Sequence, residues 1–486
     1  MNQVILKFLK SKGYNPLNNY YGNIDIWKQW YENYVSDFHK YHDHNGEVRN
    51  IYRLGMAKRG CEDWASILFT ERDELICDNS ANQEYLNNEL AKMKFTDNVA
   101  ESIENAFWSG TLATILRVKN AKIVNKQVVA DENTYTELIN VTGDKIVPLR
   151  VDNGKVLDVA FVSETILEDE KAYYIEIHEL KENGYVIHNY FIDENVEEKE
   201  NESIVKEYHI PSKTPLFFML SPKIVNNIKD YAKNGLGISV YANAIDQMMA
   251  CDIAYNNFVK DIELGGKKIL YNKKLVKYNT VTITDEQTGE TVTKEIPIYP
   301  DDISKQQFQV VGDEMDNINE KPLITEYNPD LRTQQNEEGV NFALNIFAFK
   351  IGLGKGYYRF ENGTVVTATQ YLGENKDLVG NAKKHRTAVN DYTEALAKGV
   401  LLLGRILFGQ NVTEEDTITL TDKDGFLISD EELQDRYRQD LQAGLISKKT
   451  YLMKARGMSE EQAIKELEEV AKDNPTVDQL IGGSNE

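Results

Sequence analysis

Cysteine is scarce. The 486 residues hold only Cys61, Cys77 and Cys251, an odd number, widely spaced and without metal-ligand spacing. That excludes a disulfide framework and a thiolate metal centre, and it fits a chain kept in a reducing compartment. Positive charge is also short: 55 Lys and Arg face 78 Asp and Glu, a formal net charge of −23. So acidic a chain repels nucleic acid and acidic membranes in bulk, and any contact with DNA must be local. Long apolar runs are missing too. The most apolar stretch, Val400–Phe408, is interrupted by Gly404 and Arg405 and is far shorter than the ~20 residues that span a bilayer. Met1–Tyr14 has a short apolar helical pattern broken by Lys7 and Lys10, without the apolar core or cleavage site of a signal peptide. The expectation is a cytoplasmic chain with no membrane span.

Catalytic signatures are equally thin. Gly352, Gly354 and Gly356 beside Lys355 suggest a phosphate cradle, but no Gly-x-x-x-x-Gly-Lys-Ser/Thr occurs. The glycines also follow a helical pattern, whereas a nucleotide loop follows a strand and opens a helix. His39, His42 and His44 have a spacing that a transition metal can use, yet they run into a polar turn and no Cys or carboxylate cluster completes a shell. No Ser or Cys sits in a nucleophile elbow, and no pair of carboxylates stands out from the other acids. The expectation is no catalytic residue, no cofactor and no metal ligand. The alternative is an intracellular enzyme with the glycine-rich stretch as its lid.

What is present is apolar patterning, 41% of the chain, enough for a sizeable core. Ile26–Tyr41 reads as one helix with an aromatic stripe, followed by helices over Leu54–Glu74 and Asn82–Gly110. Period-two alternation then runs from Leu112 to Met219 with turns between, including a hairpin around Lys181–Gly184.

The chain is organised around Gly237–Ala368. Ile238–Glu263 reads as an amphipathic helix, and Arg332–Ile351 as a second helix whose apolar residues cover nearly its whole circumference. A helix greasy all round must be buried, and this one is too short for lipid, so its burial against copies of itself or its neighbour is expected. Phe342, Ile346, Phe347 and Phe349 are the candidate subunit-packing residues. Between the two helices lies a β-rich excursion with a hairpin pairing Asn279–Thr284 with Glu290–Glu295. After them comes a glycine-rich stretch that reads as a mobile loop, then a long helical pattern over Thr367–Gly409, with glycines that invite bends.

Four stretches carry a resemblance. They are Trp27–Tyr41 with Met56-Ala57-Lys58 and Cys61-Glu62-Asp63-Trp64-Ala65; the helix, β-excursion, helix order; the loop and long helix after it; and Asp440–Thr450 with Gly457-Met458-Ser459-Glu460-Glu461. Together they resemble the portal proteins of tailed bacteriophages, of the type found in long-tailed phages of Gram-positive hosts. The resemblance implies an α+β portal fold and a ring, commonly a dodecamer, at one capsid vertex of the virion, assembled in the host cytoplasm. It implies a wing (1–236 with 367–410), stem helices (237–264 and 332–351), a clip (265–331), a tunnel loop (352–366) and a crown with a C-terminal tail (411–486). Double-stranded DNA in transit would meet Lys350, Lys355, Tyr357, Tyr358, Arg359 and Asn362. Further implied partners are terminase, a head-completion or adaptor protein, and the major capsid and scaffolding proteins, with ATP hydrolysis left to the terminase.

Overall fold

In the computed structural model the described residues are 2–16, 19–42, 46–69, 75–167, 170–200, 204–229, 234–272, 275, 277–284, 291–298, 308–311, 324–358, 376–420, 430–458 and 460–473. The fold is mixed α+β.

Helical spacing at the N-terminal end buries one face of each helix in turn. In α1 (Gln3–Ser11) Ile5, Leu6, Phe8 and Leu9 are buried, and the Asn2 side chain caps the helix by accepting from the Val4 N–H at 2.9 Å. α2 (Tyr21–Tyr31) buries Tyr21, Ile24, Trp27 and Trp30. The aromatic stripe expected to continue as one helix to Tyr41 stops there. Asn33 takes φ +58°, and the single turn α3 (Ser36–His39) leads into β1 (Lys40–His42), paired antiparallel with β2 (Val48–Asn50). Ile26 and Tyr34, counted in the stripe, are exposed. Then come α4 (Met56–Leu68), which buries Cys61 and Trp64 completely, β3 (Leu75–Cys77), α5 (Ser80–Lys92) and α6 (Phe95–Ser109).

The alternating segment becomes sheet: β4 (Leu112–Lys119), β5 (Lys122–Val124), β6 (Gln127–Val129), β7 (Tyr135–Thr142), β8 (Ile146–Asp152), β9 (Lys155–Leu167), β10 (Glu170–Lys181), β11 (Gly184–Asp193), β12 (Glu198–Lys199), β13 (Glu207–Ile210) and β14 (Phe217–Leu220). An eight-stranded sheet runs β5-β6-β13-β11-β10-β9-β8 with β12 beside β11, and a three-stranded sheet runs β14-β4-β7. The hairpin expected around Lys181–Gly184 forms, with Lys181 opposite Gly184. Alternation sorts β10 into two faces. Tyr173, Ile175 and Ile177 join Phe8 and Leu9 of α1 in a separate small core. On the other face Glu176 is ion-paired to Arg117 and lies 2.8 Å from His178 Nε2. Burial works to raise the Glu176 carboxyl, but His178 and Arg117 prevail and hold it at about 2.

The central helix α7 spans Ile245–Leu264, starting later than the apolar pattern from Ile238 suggests. Ile238, Tyr241 and Ala244 are buried ahead of it in irregular chain, tied by Val240 N–H to the Phe107 carbonyl at 2.9 Å and by the Tyr241 hydroxyl to the Trp27 carbonyl at 2.8 Å. The excursion contains β15 (Lys268–Asn272), the hairpin β16 (Lys277–Thr284) and β17 (Thr291–Ile298), β18 (Phe308–Val311) and β19 (Ile324–Tyr327). The hairpin has the expected antiparallel pairing, Thr284 opposite Thr291, and its turn lies outside the described residues. β15 is parallel to β18 and antiparallel to β19.

α8 (Thr333–Lys350) then returns along α7. α9 (Lys376–Ile406) is one helix of 31 residues, about 46 Å at ~1.5 Å per residue. Its internal Gly399 and Gly404, read in the sequence as bends, are close-packing positions: a Cβ would lie 2.3 Å from Phe218 Cζ at the first and 2.6 Å from Tyr85 Cε1 at the second. β20 (Ile418–Leu420) pairs with β3, and Asn82 of α5 bonds Thr413 and Asp416, so this stretch packs with β3 and α5. α10 (Asp430–Gln442), α11 (Lys448–Arg456) and α12 (Glu460–Asp473) follow, each packed on the next. The tail from Pro475 lies outside the described residues.

Candidate nucleic-acid interface and packing face

The C-terminal end of α8 is built into a socket. Ile351 N–H bonds back to the Phe347 carbonyl at 3.0 Å and Leu353 N–H to the Ala348 carbonyl at 2.9 Å, with Gly352 at φ +89° supplying the left-handed turn between them. Trp64 of α4 donates its indole N–H to the Ile351 carbonyl at 3.1 Å. The Asn381 amide of α9 donates to the Gly352 carbonyl at 3.1 Å, and the Gly356 N–H donates to Asn345 Oδ1 at 2.7 Å. Leu353 is completely buried. The first part of the expected mobile loop is therefore an anchored turn. The sequence misleads because glycine permits both uses, and only tertiary partners choose between them.

Lys350 and Lys355 are exposed, with Lys355 Nζ 5.9 Å from the centre of the Phe349 ring. Tyr357 is half-buried and meets Tyr358 edge-on at 5.0 Å. Tyr358, expected to face DNA, is turned inward: its ring stacks on Phe347 at 6.2 Å and its hydroxyl donates to Asp63 Oδ2 at 2.6 Å. Burial and the Asp63 carboxylate push its phenol far above the ordinary tyrosine range. Arg359 and Asn362 lie outside the described residues.

The packing candidates also divide. Val340, Ala343, Leu344, Phe347, Ala348 and Ile351 are buried in the chain's own core. Phe347, read as a subunit-packing residue, is thus a core residue that offers no surface to a neighbour. Phe342, Ile346 and Phe349 remain exposed, at 68%, 37% and 51%. Their spacing of four and three residues puts them on one helical stripe. One face of the all-round apolar helix is spent inside the chain and the other is left open.

Sequence reading missed the residues that fix this geometry, Trp64, Asn345 and Asn381, because single polar or aromatic residues in helical patterns carry no signal of their distant partners. His39, weighed as a metal ligand, has both ring nitrogens engaged. Nδ1 accepts from the Val35 N–H at 2.7 Å, which assigns the proton to Nε2, 3.0 Å from Asp252 Oδ2. His44 lies outside the described residues. Among the described residues no helix is long and apolar enough to cross a membrane. No protein-family model matches the chain, and no curated protein matches it.

Proposed function

We propose that this chain is the subunit of a portal-type ring, a conduit for double-stranded DNA at a capsid vertex during packaging, retention and ejection. The observation that carries the reading is the exposed apolar stripe Phe342, Ile346 and Phe349 on a helix that, with α7, carries a β-rich insertion at one end and a glycine turn at the other. Aromatic groups this exposed on a central helix call for a neighbour, and identical copies related by rotation supply one on each side. The insertion fits a docking role for terminase and a head-completion or adaptor protein, since it extends from the helix pair without interrupting either helix. Capsid and scaffolding proteins would meet the outer, wing side.

Acidity supports the same reading. A conduit has to let a duplex slide, and a strongly cationic lining would hold phosphates through counterion release. The test is particle mass by light scattering together with negative-stain images of the purified chain. An annulus with a central hole is expected. A monomer mass across concentration and salt would overturn the proposal.

A further inference from the structure

Cross-strand register sets Ser163, Tyr174 and Phe191 in one row on the face of the large sheet that also carries Glu176. β4, of the smaller sheet, crosses this face. Its Arg117 reaches Glu176, and together the two sheets enclose a cavity of about 620 Å³ that runs from Tyr208 on β13 to Ser163–Thr165 on β9. At that end β9 is the rim of its sheet. β8 begins with Ile146 opposite Phe161, so beyond Phe161 only β10 pairs with β9 among the described residues. Residues 162–167 therefore keep one edge open, and Ile166 beside it is 75% exposed, where a sheet edge is usually shielded by charge or by another element. The charges at the cavity are spent on each other. Arg117 pairs with Glu176, Lys119 with Glu137 at 3.0 Å and Glu164 with Lys171 at 3.4 Å, while Glu176 also takes His178 and the Tyr174 hydroxyl. Unspent are the hydroxyls of Ser163, Thr165 and Tyr208, with Nε and Nη1 of Arg117, which have no protein partner among the described residues. Between them lie the Tyr174 and Phe191 rings, 5.1 Å apart.

We infer that this cleft takes an uncharged, extended peptide segment of another protein, which adds a strand to the open edge of β9 and sets a neutral side chain against Tyr174 and Phe191. Charge decides the class of segment. A carboxylate brought to Arg117 would stand beside Glu176, whose charge already answers the guanidinium, and a cation would find no free acid, so either would be desolvated without a counter-charge. Neutral acceptors meet no such penalty, and the unspent groups are all donors. A peptide backbone supplies carbonyls, and an extended one also satisfies the open edge. Main-chain bonds to an edge strand, with a pocket beside it for a side chain, are the two parts of recognition by strand addition. A cavity of a few hundred Å³ with aromatic walls and a few polar groups is of the size and kind that binds ligands. The inference stands apart from the portal reading and survives its failure.

The experiment is selection of an mRNA-displayed library of short random peptides on the immobilised full chain, after which the most enriched peptides are synthesised and titrated by fluorescence anisotropy. Enriched peptides should alternate in strand fashion and be uncharged at the position that loses most affinity on alanine substitution. Tyr208→Phe removes one donor and should weaken them roughly three- to tenfold. Ser163→Phe fills the cavity from its rim and should weaken them by roughly tenfold or more. Bound peptide should slow amide exchange within 162–167. Both variants should keep the wild-type unfolding midpoint, and if Ser163→Phe does not, Tyr208→Phe with the exchange measurement carries the test. No peptide enriched on wild type over Ser163→Phe overturns the inference, as does a required Asp or Glu at the anchoring position, or binding without protection of 162–167. A fall in particle mass in Ser163→Phe also overturns it, since the edge would then be filled by a second copy of this chain.

Discussion

Asp261 and Arg332 close the base of the β-rich insertion. The Asp261 carboxylate, in the last turn of α7, accepts from the Arg332 N–H at 3.1 Å and from its Nη2 at 2.8 Å, and Asn336 Nδ2 adds a third bond at 3.0 Å. The Arg332 side chain, followed by its backbone N–H, holds this carboxyl below the usual aspartate range. The insertion is thereby fixed where it leaves and re-enters the helix pair, a different matter from the packing of the pair itself.

Asp261→Ala should therefore loosen the insertion and spare the body. Limited proteolysis should cut faster near Gly265 and Leu331, with the unfolding midpoint of the body little changed. Because the folded carboxyl titrates below its unfolded value, the clasp is complete above the ordinary aspartate pKa and weakens as pH falls through the lowered one. Cleavage rates equal to wild type would remove the clasp role.

His385 supplies a pH dependence of the body. It is buried between the Trp64 and Phe107 rings, at 4.8 and 5.0 Å, and its Nδ1 accepts from the Lys223 N–H at 3.0 Å. Burial, with a smaller push from Lys384, holds the imidazole at about 4. The unfolded chain binds this proton more readily than the folded one. The associated stability is whole above about pH 6.5 and is lost as pH falls toward about 4, by at most about 3 kcal/mol. His385→Gln keeps an acceptor for Lys223 but does not titrate. Between about pH 7 and about pH 5 the denaturation midpoint of wild type should fall more than that of the variant. Parallel falls would show that His385 is not the group responsible.

Gly110 and Gly237 let two backbone segments touch. A Cβ on Gly237 would lie 2.5 Å from the Gly110 carbonyl oxygen, and one on Gly110, at φ +80°, would lie 2.6 Å from the Gly237 oxygen. Neither obstacle is a side chain that can swing away. Alanine at either position should cost about 2–4 kcal/mol through backbone strain and overpacking. Alanine at Gly154, also at positive φ but with open space around it, should cost less. Chemical denaturation of the three variants checks the order.

How much of this was legible follows from what each pattern encodes. Period-two alternation located the Tyr173–Ile192 hairpin and the Thr284–Thr291 hairpin, because alternation and turn chemistry are both local. The long α8 was clear for the same reason. The aromatic stripe ran past its true end because Val35 and Phe38 remain apolar after Asn33 breaks the helix. The socket under Gly352 was invisible, since Trp64 reaches Ile351 across a sequence separation of 287. Which side of α8 would be core could not be read either, as Phe347 and Phe349 look alike until α4 and Tyr358 cover one of them.

That difference between like residues gives the sharpest test of ring closure. Phe342 and Phe349 are more than half exposed, so replacing both with Ser removes apolar surface without opening a cavity, and the folding stability of one subunit should move by only about 0.5 kcal/mol. Phe347 is fully buried, and Phe347→Ala should cost about 3–5 kcal/mol of that stability. If the stripe is where neighbouring copies meet, the double serine variant should stay folded by circular dichroism while its particle mass drops toward a single chain. Phe347→Ala should instead lower the unfolding midpoint, with any loss of mass following unfolding. A double serine variant that assembles as fully as wild type would take the stripe out of the ring contact, because no other change in that variant could compensate for two lost aromatic anchors at the same face.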